Sequence, residues 1–363
     1  MRVLGLAIDG RGLGHLSRVR LLARLIRELR PEAEVRLATE SPAAWTASGD
    51  GLPVLKLPEC LHPAGALNHA RSRGALLSEL LGPLLGGWRP ELAVVDHVVD
   101  LALFQALRRL GCRVWVVLRR MRPAPMRALL RAPAASLVEA WLLPHAPDEL
   151  PGMDLPRSFR RRCHHLGPLA RPIDLDRVEV LRRASPHPLL LAALGGGGAA
   201  EARSLAGVCI EAFERLHRAR PDLAARLVCG PLFPGPLPAG GPGLEVLSHE
   251  PELAEWMAAA DVVITQAGYN SVQELLSSGT PGLLLPIASP GRDDQTARAA
   301  EVAALGRARV VAAEPEALAS ALLAVLAGKG PPRALPRQPD LAPARAALGR
   351  LLDQTFPTRS TSP

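Results

Sequence analysis

The stretch Ala260-Asp261-Val262-Val263-Ile264-Thr265-Gln266-Ala267-Gly268-Tyr269-Asn270-Ser271-Val272-Gln273-Glu274-Leu275 decides the fold class. A β-branched run is followed by a glycine and then by apolar residues at helical spacing. That order is the strand–turn–helix unit of a parallel sheet. A strand is expected over 261–266, with Gly268 making the turn and a helix over 271–278.

The same alternation extends in both directions. Towards the C-terminus it predicts strands at 282–286 and 309–311 and helices at 293–305, 315–326 and 344–352. Before it come strands at 189–194, 225–229 and 244–247, with helices at 199–219 and 251–259. The first half reads likewise, with strands at 2–8, 34–38, 52–57, 92–96, 112–118 and 163–167. Its helices are expected at 15–29, 67–85 and 101–110. Repeated strand–helix alternation makes the chain α/β, two parallel-sheet domains in tandem that face each other across a cleft. Prolines crowd 144–188 and argue there against continuous helix or central strand. The expected division is therefore a domain over 1–168, a linker over 169–187, a second domain over 188–355 and a disordered tail over 356–363.

A length of 363 residues with 48% hydrophobic residues suffices for two cores. Aromatic residues are only 3%, so the cores must be packed from Leu, Val and Ala. The cysteines (Cys60, Cys112, Cys163, Cys209, Cys229) are odd in number and form no C-x-x-C pair. Neither a disulfide framework nor a zinc site is signalled, and a cytoplasmic setting is the default expectation. No run approaches the ~18–20 apolar residues of a membrane span.

The net charge of +8 is carried almost wholly by arginine, a skew that GC-rich coding produces. Arg119, Arg120, Arg122, Arg127 and Arg131 cluster, as do Arg157, Arg160, Arg161 and Arg162. With Met121, Met126, Leu129 and Leu130 between its charges, the first cluster could rest on an anionic lipid surface at the inner membrane face. A solvated basic face is equally open. No aromatic residue interleaves with the arginines, so nucleic acid is not an expected partner.

Functional residues of parallel sheets lie just after strands. Gly195-Gly196-Gly197-Gly198 occupies such a place, where glycine lets backbone N–H groups approach a diphosphate and a helix start adds its dipole. A turn that merely needed glycine reads the same. The loop lacks the Gly-Lys-Ser/Thr ending of an ATP-hydrolysing P-loop. Glu274 could accept two hydroxyl hydrogen bonds, as a ribose diol requires. Ser271-x-x-Glu274 is also a literal capping box, and on spacing the cap is the favoured reading. Asp293, Asp294 and Gln295 could grip sugar hydroxyls or simply complement a helix dipole. Gly10-Arg11-Gly12-Leu13-Gly14-His15 carries histidine where a dinucleotide fingerprint needs its third glycine, which makes NAD binding unexpected. His15 at a helix start could serve as general base or be structural. Asp96 and His97 end a strand and offer a second acid–base candidate. Asp174-x-Asp176 lies away from any expected strand end and is given no role.

Together these loops resemble the GT-B glycosyltransferases of family 28, which include the peptidoglycan lipid-intermediate N-acetylglucosaminyl transferase and the diacylglycerol galactosyltransferases. Two stretches carry the likeness: Gly12-Leu13-Gly14-His15-Leu16-Ser17-Arg18, and the run from Ala260 through Gly268, Ser271, Glu274, Gly279, Pro281 and Pro286 to Asp294-Gln295. The resemblance implies two Rossmann-like domains, a UDP-sugar donor, inversion at the anomeric carbon, and no cofactor or tightly bound metal. It implies that Glu274 holds the donor ribose and that the Gly195–Gly198 loop, Gly268, Tyr269, Asn270 and Ser271 hold the diphosphate. Asp294 and Gln295 would contact the sugar, and the backbone after His249 the base. His15 would be base or phosphate contact, with Asp96 as the second catalytic candidate and Gly12, Gly14, Arg18 and His97 on the side of a small-molecule or lipid acceptor. The family's lipid-intermediate members have a longer glycine-rich first loop than Gly10–Gly14, which leaves the acceptor open. Nucleotide-sugar hydrolases share G-x-G-H-x-x-R, so hydrolysis is one alternative and a non-catalytic nucleotide-sugar-binding protein another.

Overall fold

The computed structural model describes residues 1–8, 13–58, 78–147, 157–185, 188–288 and 294–357. The chain forms two compact units: residues 1–10, 15–169 and 340–363, and residues 11–14 and 170–339.

The first unit holds β1 (Arg2–Ala7), β2 (Glu34–Thr39), β3 (Val54–Lys56), β4 (Leu92–Asp96), β5 (Arg113–Val117), β6 (Ala140–Leu143) and β7 (Cys163–His165). All pairs are parallel, in the order β3-β2-β1-β4-β5-β6-β7. Alternate residues feed the two faces. Val3 and Ala7 enter one core with Leu92 and Val94, while Leu4, Leu6 and Ile8 enter the other with Ala93 and Val95. Strands buried on both faces need near-continuous apolar runs, and these are what the sequence supplies.

The second unit repeats the plan with β8 (Leu189–Ala193), β9 (Ala224–Val228), β10 (Leu244–Leu247), β11 (Val262–Thr265), β12 (Gly282–Leu284) and β13 (Ala308–Val310). The order is β10-β9-β8-β11-β12-β13, again parallel. Leu190, Ala192 and Ile264 face one core; Leu189, Leu191 and Val263 face the other. In each sheet the strand order reverses once, between β1 and β4 and between β8 and β11. Such switch points open a crevice at the strands' carboxyl ends.

Three expectations need correction. The stretch expected as a linker contains a helix, Leu175–Ala184, whose N-cap Asp174 accepts from the Arg177 amide at 3.0 Å. Val178 and Leu181 pack on Ala254 and Ala258 of helix Leu253–Ala259, so this segment belongs to the second unit's fold. The final helix, Ala342–Thr355, was expected with the second domain. Its Ala344, Leu348, Leu351 and Leu352 are instead buried in the first unit's core. Strand β6 and helix Pro123–Arg131 were not anticipated. In that helix Met126 is buried, and Met121, Leu129 and Leu130 pack against the core. The apolar residues between the arginines are thus used internally, while Arg127 and Arg131 stay exposed. Residues 67–77 of one expected helix, Cys60 and Gly12 lie outside the described residues.

Candidate active site

The first crevice is built from the helix Gly14–Leu29 after β1 and the end of β4. Asp96 closes β4 and is fully buried. His15 Nδ1 lies 3.0 Å from Asp96 Oδ1. A carboxylate can only accept, so Nδ1 carries a proton and donates it to Asp96. Arg18, one helical turn on, donates from Nε to Oδ2 at 2.8 Å and from Nη2 to Oδ1 at 2.9 Å. Burial alone would raise the Asp96 carboxyl. The Arg18 charge, then His15 and the hydrogen bonds from both, outweigh burial and hold it well below the usual carboxylate range. Arg18, expected on the acceptor side, is only 3% exposed and is turned onto Asp96.

His97 follows directly, with φ 59° in the left-handed region. Its ring centroid is 6.0 Å from that of His15. Burial, then the Arg119 charge, pushes its imidazole down to about 3, so the ring is neutral at pH 7. Sequence reading missed His145, at the end of β6, which is buried and accepts from the Arg120 amide through Nε2 at 2.6 Å. Periodicity gives no signal for a histidine just past a strand that was itself unread.

The second crevice is bounded by the turns after β8 and β11. Thr265 Oγ1 donates to the Ala193 carbonyl at 2.7 Å and Gln266 Nε2 to the Leu194 carbonyl at 3.2 Å. The two strand ends that launch Gly195 and Gly268 are thereby tied side by side. Gly195 and Gly197 have φ of 71° and 84°. A Cβ on Gly197 would lie 2.7 Å from the Cys229 carbonyl, so that glycine is required for packing against the next loop. A Cβ on Gly195 meets nothing within 4 Å, and that position opens outward.

Helix Tyr269–Ser278 starts with Gly268 as N-cap and has no side-chain cap hydrogen bond. Ser271 is therefore the third helical residue, not the cap, and the capping-box reading of Glu274 fails. The Glu274 carboxylate is half-buried, and burial raises it; Arg171 opposes that rise and Glu255 adds to it. No described residue hydrogen-bonds or ion-pairs with it. Tyr269 is buried, and Asn270, Ser271 and His249 are half-buried. Asp294 caps helix Gln295–Ala304, accepting from the Ala297 amide at 3.1 Å. Gln295 Oε1 accepts from the Ile287 amide at 3.0 Å and fixes the loop before the helix. Asp293 lies outside the described residues. Among the described residues no group of three or more His, Cys, Asp or Glu could hold a metal ion.

Two doubly wound parallel sheets with residues gathered at both switch points define the GT-B fold. A solved structure with this architecture, the glycotransferase of kitacinnamycin, matches with a TM-score of 0.63 and 19% identity, over 98% of this chain and 99% of that one. More particularly, residues 196–345 match the model of the glycosyltransferase family 28 C-terminal domain, so the chain carries that family's C-terminal domain. A UDP-N-acetylglucosamine--N-acetylmuramyl-(pentapeptide) pyrophosphoryl-undecaprenol N-acetylglucosamine transferase of Methylorubrum populi is 31% identical over 216 residues, 55% of this chain and 54% of that protein. The match thus spans about half the length of that relative. The protein of the same description in Paenarthrobacter aurescens is 26% identical over 387 residues, 96% of this chain and 95% of that protein.

Proposed function

We propose that the protein is an inverting glycosyltransferase that moves a hexosyl group from a UDP-sugar to a hydroxyl acceptor. One observation carries the reading: Glu274, in the matched domain, presents a half-buried carboxylate that no described residue hydrogen-bonds or ion-pairs with, beside the Gly268 turn. A burial of that kind is costly unless a ligand supplies hydrogen bonds. A ribose diol supplies two. The amides after Gly195 and Gly268 lie at adjacent strand ends and suit a diphosphate. His249 precedes the base subsite, and Asp294 and Gln295 frame the sugar.

In the reaction the acceptor hydroxyl gives its proton to His15 Nε2 and its oxygen bonds to the anomeric carbon. The bond from that carbon to the diphosphate oxygen breaks on the opposite face, and UDP leaves with the electron pair. Backbone amides take the growing charge without reorganising. Asp96 holds His15 in the tautomer that can accept the proton. The donor is taken as a UDP-sugar because the relatives are named for UDP-N-acetylglucosamine. The acceptor is a small molecule or a lipid-linked sugar, met at an anionic membrane face through the exposed arginines of 119–131. UDP release from UDP-N-acetylglucosamine, assayed with and without acceptors, tests the reading. Release that only an acceptor accelerates is expected; equally fast release in water alone would make the protein a hydrolase.

A further inference from the structure

The fold itself does not require glycine at position 268. Its φ of −65° and ψ of 149° are open to any residue. A Cβ there would meet, beyond its chain neighbours, only Ser271 Oγ at 4.0 Å. Serine, threonine or aspartate at this N-cap would also close the first turn of helix Tyr269–Ser278 on itself. The sequence forgoes that cap, and no described residue accepts from the Gly268 N–H. A residue without a side chain, with its amide left unpaired, is what the close approach of a ligand requires.

The other edge of the same peptide is held. Half-buried Arg298 donates from Nη1 to the Ala267 carbonyl at 2.7 Å. It lies in helix Gln295–Ala304, four residues after the N-cap Asp294 and so on the same helix face. A peptide is planar and trans, so the Ala267 C=O and the Gly268 N–H point in opposite directions. Fixing the carbonyl fixes the amide. A guanidinium on the carbonyl also polarises the peptide and makes its N–H a stronger donor. An anion oxygen ~2.9 Å from the Gly268 nitrogen would lie roughly 7–8 Å from Arg298 Nη1, with the peptide between them. Arg298 makes further interactions as well, and this relay needs only the one bond.

We propose that Arg298 is a positioning residue for the donor's diphosphate. Through the Ala267–Gly268 peptide it aims and strengthens the Gly268 N–H that meets a diphosphate oxygen. The guanidinium acts on the peptide and not on the ligand. The ligand class is a nucleoside diphosphate, because an uncharged nucleoside brings no anion to that amide. This role rests on the reading of the Gly268 turn as a diphosphate site.

Proton–nitrogen NMR of the full chain, titrated with UDP, reads the amide directly. The Gly268 N–H should move downfield saturably with UDP and far less with uridine. Calorimetry then compares both ligands in the parent, Arg298→Met and Arg298→Lys. Arg298→Met keeps an unbranched stem without donor or charge. Its UDP affinity should fall about three- to tenfold, the difference between a charge-assisted and a neutral hydrogen bond. Uridine affinity should stay within about twofold. Arg298→Lys restores a charged donor and should bring UDP affinity back to within about twofold of the parent. Equal losses for uridine and UDP in Arg298→Met would mark a merely structural role and overturn the proposal. So would a Gly268 amide in the parent that UDP leaves unmoved. UDP binding no tighter than uridine in the parent overturns the diphosphate reading itself. Tighter UDP binding in the parent that Arg298→Met leaves unchanged overturns only the role of Arg298.

Discussion

Arg18 grips both oxygens of Asp96, Nε to Oδ2 at 2.8 Å and Nη2 to Oδ1 at 2.9 Å, in a pocket where neither side chain is more than 3% exposed. Removing one member of a buried, hydrogen-bonded pair leaves the other charge stranded and costs about 3–5 kcal/mol. Arg18→Leu should therefore destabilise the protein by about that amount in denaturant melts. Arg18→Lys keeps the charge without the fork and should cost distinctly less.

Acid should act first through His97. Its folded pKa of about 3 lies below the ~6.5 of an unfolded histidine, so between those values the unfolded chain binds a proton that the native one refuses. Stability falls as pH drops through this window. Asp96 is also depressed, so its contribution is full above an unfolded carboxyl's ~3.9 and is lost only as pH falls through its lower folded value. Thermal melts between pH 7.5 and 4.5 should show a loss that His97→Asn largely flattens. An unchanged slope in that variant would locate the titration elsewhere.

Glu274→Gln separates ligand contact from helix capping. With Ser271 inside helix Tyr269–Ser278 there is no capping box to lose, so the variant should be as stable as the parent or slightly more so. A lost cap would instead cost about 0.5–2 kcal/mol. Donor affinity should fall about tenfold or more, since a hydrogen bond to a charged group is worth about 1.5–3 kcal/mol. Because burial raises the Glu274 carboxyl, donor binding should weaken with acidification at a higher pH than an ordinary glutamate would give.

The glycine turn predicts a contrast between neighbours. Gly197→Ala forces a Cβ to 2.7 Å from the Cys229 carbonyl and the Phe233 amide, at a φ that alanine avoids. Its stability should drop by more than 2 kcal/mol in urea melts, strain and clash together. Gly195→Ala meets no atom within 4 Å. It should cost only about 1–2 kcal/mol of backbone strain, while its methyl group obstructs the approach of a diphosphate.

The strands of the second unit were legible because they are short apolar runs, most of them closed by glycine, proline or a polar residue. Leu244–Leu247 and Pro315–Leu326 fall where the pattern puts them. Helix Leu175–Ala184 was not legible through its proline-dense surroundings, although no proline lies between Pro172 and Pro186 and Asp174 is a good cap. Counting prolines over a wide window hid the gap. The last helix was read as a helix, but its amphipathic pattern does not say which core it enters. The Asp96–Arg18 pair spans 78 positions, and only the sheet order β1-β4 brings it together. The Ser271-x-x-Glu274 box misled because the helix begins at Tyr269, three residues earlier than the motif implies.

Titration calorimetry with uridine, UDP and UDP-N-acetylglucosamine tests most directly whether the turns at Gly195 and Gly268 hold a pyrophosphate. UDP should bind at least tenfold more tightly than uridine in the parent, and that gap should shrink in Gly195→Ala while the fold survives. Equal affinities for uridine and UDP, or no binding by any of the three, would contradict the account.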